Sequence, residues 1–138
     1  MNINKKAIIS TACGFVLAMG LVVILVIAVL PLASHFSLGI QRSYALFIFF
    51  FCLLVVVPLI SRRLNRLPDI KKMLGWTFIG LGAEFLVFPL TILFLVLSSR
   101  SIGFLFFGGM TFALSVVFGI PASLISFIMG ISLIKSKR

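Results

Sequence analysis

Acid is what this chain has least of: Asp and Glu together number two, against twelve Lys and Arg in 138 residues. The two acids, Asp69 and Glu84, stand fifteen positions apart in sequence, so neither paired-carboxylate catalysis nor an acidic metal cage is written here. Histidine occurs once, at His35, which leaves no Ser–His–Asp arrangement and no HExxH pattern. Two cysteines without a CxxC spacing, and one His, cannot build a zinc site. Only 10% of residues are charged, and no polar stretch is long enough to fold as a soluble domain. These absences argue against an enzyme and give no reason to expect a metal or a cofactor.

What the chain has instead is hydrocarbon. Apolar residues make up 62%, sixteen of them Phe, and the mean hydropathy is +1.36. A soluble domain of this length could not hide so much apolar surface from water. A transmembrane helix needs roughly 20 apolar residues, and four runs are of that order: 7–33, 44–60, 73–97 and 102–134. The second is the shortest and carries Pro58 near its end; the fourth is the longest, so it has to tilt, kink or emerge. Backbone groups in lipid find no water, and the runs do not alternate as barrel strands do, so each is predicted helical. The expected fold is all-α: one transmembrane domain over 1–138, an up-down bundle of four helices with short links.

The Lys and Arg residues fall mainly on one side of these runs. Lys5, Lys6, Arg62, Arg63, Arg66, Lys71, Lys72, Lys135, Lys137 and Arg138 flank one end, and only Arg42 and Arg100 the other. The positive-inside rule then places both termini in the cytoplasm, in a multi-pass protein of the cell's inner membrane. Arg62, Arg63, Arg66, Lys71 and Lys72 crowd the segment 61–72, where each basic residue attracts anionic lipid by about 1 kcal/mol. The net charge of +10 is spread over loops and tail without interleaved aromatic residues, which argues against nucleic acid.

Several local features read as structural. Lys5 and Lys6 ahead of an apolar run resemble a signal start, but the run continues about twenty residues past Cys13, which predicts a retained helix. Cys13 near the inner face and Cys52 near mid-membrane are predicted inert. His35 is expected at the outer interface, as is Tyr44, and the Phe-rich second helix should face lipid on most sides. Asp69 after Pro68 suits an N-cap of the third helix.

Two stripes carry the functional reading. Thr77, Gly80, Glu84 and Thr91 share one face of helix three, within about a 60° arc at helical pitch. Gly108, Thr111, Ser115, Gly119, Ala122, Ser126 and Gly130 repeat every three or four residues along helix four, although a kink at Pro121 would disturb their phase. Small residues let membrane helices approach closely. The stripe therefore serves either packing within the chain, contact with a second copy or a membrane partner, or a lined path.

Glu84 lies near the middle of its run, where an acid costs on the order of 3 kcal/mol to insert and no cation stands at comparable depth. Pro89 cannot donate to the Phe85 carbonyl, and Ser115 comes level with Glu84 when counted from the outer helix ends. The expected site gathers Glu84, Ser115, Thr77 and Thr91, either as a proton or cation site or as a helix contact. In size, helix number and lone membrane acid the chain resembles small multidrug-resistance exporters, which work as dimers. Its topology is similar to small four-helix lipid-carrier flippases. The exporters carry their essential Glu in the first helix and no flippase motif occurs here, so both likenesses are architectural. The first expectation is a non-catalytic accessory or assembly subunit, or a small homo-oligomer, surrounded by membrane lipid. The alternative is a proton- or cation-coupled transporter or flippase using Glu84.

Overall fold

The computed structural model describes residues 3–35, 42–98 and 102–136. The side chains of His35, Arg42 and Tyr44, with all of Arg100, Lys137 and Arg138, lie outside what is described. The described residues form four helices and no strand: α1 (Ile3–His35), α2 (Arg42–Asn65), α3 (Ile70–Ser98) and α4 (Ile102–Lys135). All four are long and apolar enough to cross a membrane.

Each helix continues beyond its apolar run because nothing stops it there. α2 runs five residues past position 60, so Arg62 and Arg63 form its last turn rather than part of a loop. Their charge suits the negative end of the helix dipole. The segment 61–72 is therefore mostly helix, with only 66–69 between the two elements. The turn is tied by Arg66 N–H to Arg63 O (3.3 Å) and Leu67 N–H to Leu64 O (3.0 Å). Asp69 stands at the N-cap position, its carbonyl accepting the Met73 N–H at 3.0 Å.

The helices lie in the spatial order α4–α3–α1–α2. α3 and α4 share the most extensive contact, as their short link predicts; α1 packs on both α2 and α3; α2 touches α3 only marginally. Among the described residues α4 packs on α3 alone. The bundle is consequently open-sided rather than closed.

Glycines set the register of these seams. A Cβ on Gly75 would lie 2.8 Å from the Gly130 carbonyl oxygen, and one on Gly130 2.7 Å from that of Gly75. Gly82 likewise faces the Ser123 carbonyl, at 3.2 Å from its absent Cβ. α3 and α4 therefore run antiparallel. Leu17 lies on Gly80 and Glu84 on Gly20, so α1 and α3 run parallel, residue n beside about n + 63. Ser10 donates to the Ser61 carbonyl at 2.7 Å, which pairs α1 and α2 antiparallel. The chain alternates direction as expected, and the described Lys and Arg side chains collect at one end. At that end Cys13, Leu17, Leu64 and Met73 form a buried core.

α2 is exposed along most of its length, with Leu54 74% and Phe47 70% exposed. Cys13 is buried, Cys52 half-buried, and both are free thiols. Pro121 lies inside α4, yet Gly119, Ser126 and Gly130 keep to the α3-facing side across it.

Gly130→Leu should separate α3 from α4, because backbone stands where its side chain must go; overpacking of this kind costs about 1–3 kcal/mol. Gly109→Ala, whose Cβ meets nothing within 4 Å, should instead be neutral or gain up to about 1 kcal/mol in helix propensity. Thermal unfolding in detergent, followed by the monodisperse fraction, separates the two outcomes.

Candidate functional site

α3 presents two different faces, and this decides where each candidate residue goes. Gly75, Ile79, Gly82 and Pro89 meet α4, whereas Gly80 and Glu84 meet α1. At 100° per residue the centres of the two sets are separated by roughly 165°. Thr77 and Thr91 share the Glu84 arc and are both buried. The polar stripe of α3 and the small-residue stripe of α4 thus do not face one another. α4 reaches the opposite side of α3, and among the described residues it has no contact with α1.

Glu84 projects toward Gly20 of α1, where its carboxyl group occupies the space a Cβ would fill. Gly20 is the residue that sequence reasoning missed. The signal was a glycine in α1 at the depth of Glu84, but depth matching needs the parallel α1–α3 pairing, whereas the short link points to α4. Around the carboxyl group lies an open groove of about 480 Å³, with walls from Leu17, Leu21 and Leu25 of α1, Ile60 of α2, and Ala83 and Val87 of α3. No Lys or Arg lines it.

The hydroxyls expected beside Glu84 bond within their own helices. Thr77 donates to Met73 O at 2.9 Å, Thr91 to Val87 O at 3.0 Å and Ser115 to Phe112 O at 2.8 Å. Such back-bonding satisfies a hydroxyl in an apolar setting without a partner helix. Ser115 is therefore not brought to Glu84: it sits on α4, beyond α3 from the Gly20 notch. Nor is the Phe85 carbonyl freed by Pro89 part of this site. It points at Gly119, 3.0 Å from the position of the missing Cβ. The hydrogen there offers a weak Cα–H···O contact.

Part of the small-residue stripe of α4 packs within the chain. Gly119 and Gly130 meet α3 backbone, and Ser126 is buried beside them, as is Ser123. Thr111, nearer the other end of the stripe, is exposed. The Ser123 hydroxyl is buried without a hydrogen-bond partner.

At the basic end, the five expected lipid contacts separate into different clefts. Arg62 lines one between α1 and α2; Arg63 lines another with Trp76; Lys71 and Lys72 line a third with Asp69. Arg66 lies in the turn. No group of three or more His, Cys, Asp or Glu residues able to hold a metal ion occurs among the described residues.

Comparison with protein-family models, curated proteins and solved structures gives no match for this chain.

Gly20→Ala should leave the fold intact, since its Cβ meets only the mobile end of the Glu84 side chain, while pushing the carboxyl group out into the groove. Labelling of Glu84 by a hydrophobic carbodiimide should then rise several-fold at an unchanged thermal midpoint. Equal labelling in both proteins would place the carboxyl elsewhere.

Proposed function

We propose that the chain is a multi-pass membrane protein with both termini cytoplasmic, acting as a non-catalytic accessory or assembly subunit, either as a homo-oligomer or beside another membrane protein. One observation carries this reading: the open row of helices, in which α4 packs on a single neighbour. A row of four encloses no path of its own, and a working compartment needs further helices. The collection of basic side chains at one end of the row supports the orientation. Because Gly119 and Gly130 of the small-residue face of α4 lie against α3, assembly on this reading uses the exposed part of that face, at Thr111, and the open edges of the row. Native gel and mass measurements on gently solubilised membranes should find the chain in particles at least twice its own 15.1 kDa of protein. Single chains only, both in mild detergent and in nanodiscs, would overturn the proposal.

A second reading is favoured by the notch at Gly20. The Glu84 carboxyl stands at an apolar groove whose described lining holds no Lys or Arg, where a cationic ligand could exchange with a proton. That is the elementary step of a coupled small transporter or flippase. Adding tetraphenylphosphonium to the purified protein should release protons from wild type and not from Glu84→Gln. Release of equal size from both would remove Glu84 from any such step.

A further inference from the structure

Clefts at the basic end among the described residues differ in chemistry. The one beside Lys71 and Lys72 also contains Asp69, so its charge is partly offset. The one at Arg63 adds only Trp76 and two leucines. The third, about 320 Å³ between α1 and α2, combines Arg62, Asn65 and Thr11 with an apolar wall of Ala7, Val57 and Pro58, and no acid lines it.

We propose that this α1–α2 cleft binds the phosphate group of an anionic membrane phospholipid, held by Arg62 and Asn65. The proposal rests on the reading that the chain spans a membrane. The chemistry follows from the donors present. Guanidinium offers a planar fork of N–H groups to phosphate oxygens, and the Asn65 amide adds two uncharged donors. Thr11 gives its own hydrogen to the Ala7 carbonyl at 3.0 Å, so its oxygen remains an acceptor for a headgroup hydroxyl. A glycerol headgroup supplies one.

The order of residues along α2 favours a lipid over a free anion. Arg62 and Asn65 stand at the helix end, while Val57 and Pro58 lie a turn deeper toward the apolar middle. A phosphate at the rim would leave an acyl chain running down that wall, which matches the layout of an amphiphile. The seam beneath is fixed by the Ser10–Ser61 hydrogen bond and by Gly14, whose missing side chain leaves room for Ser61. The cleft is therefore shaped before any lipid arrives.

The test is native mass spectrometry of the full chain, released from micelles after titration with phosphatidylglycerol against a phosphatidylcholine background. Wild type should retain one phosphatidylglycerol per chain. Arg62→Gln and Asn65→Ala should each lower retention about fivefold or more, the equivalent of one lost charge or hydrogen bond. Arg66→Gln and Lys72→Gln, outside the cleft, remove only diffuse attraction to anionic lipid and should lower retention of a single bound lipid clearly less than Arg62→Gln. All four residues are exposed, and thermal midpoints check that each variant is folded. Equal losses for the three charge removals with none for Asn65→Ala would mean diffuse attraction and overturn the site. Displacement of the lipid by millimolar inorganic phosphate would also overturn it, in favour of a free-anion site. Recovery of the chain from the soluble fraction without detergent would instead defeat the membrane reading on which the proposal rests.

Discussion

Close backbone approach is the constraint on which this architecture depends. Long apolar helices satisfy their own hydrogen bonds, and in lipid they gain nothing by hiding side chains from water, so contact area and shape must hold them together. The chain meets that demand with glycine at every seam. Gly14 admits Ser61 between α1 and α2, Gly80 admits Leu17 between α1 and α3, and Gly75 and Gly130 bring α3 and α4 to carbonyl distance. Only the last contact is reciprocal, and it belongs to the most extensive helix pair.

The same constraint explains the placement of polar atoms. Thr77, Thr91, Thr111 and Ser115 turn their hydroxyls onto carbonyls of their own helices. The buried Thr77 and Thr91 thereby contribute small volume to the seams without demanding a partner. Ser10 is different, since it crosses from α1 to the Ser61 carbonyl. Glu84 reaches instead into the notch left by Gly20. A carboxyl group that meets backbone space and an apolar groove keeps its functional interest after the expected neighbours have gone elsewhere.

The sequence made the helices legible because apolar length is a one-dimensional property. Runs at 7–33, 44–60, 73–97 and 102–134 became α1 to α4, extended only where polar residues continued a helix that nothing interrupted. The pairing of α3 with α4 was equally legible from their short link. Which face of α3 each neighbour takes was not, because two stripes of small and polar residues lie on opposite sides of that helix and composition cannot rank them. Gly75, Gly82 and Pro89 won α4, and the Glu84 stripe went to α1. Gly20 could not be singled out before the parallel register of α1 and α3 was known.

Pro89 has a consequence for how such a chain is made. Lacking an N–H, it leaves the Phe85 carbonyl without its usual intrahelical donor, and Gly119 of α4 covers that oxygen. During synthesis α3 emerges before α4. In a bilayer, a newly inserted α3 would therefore lack even that weak Cα–H···O contact, worth about 0.5–1 kcal/mol, until its successor arrived. Entry of α3 and α4 together, as a preformed hairpin, avoids that intermediate. The proline thus ties the order of biogenesis to the tightest seam of the finished protein.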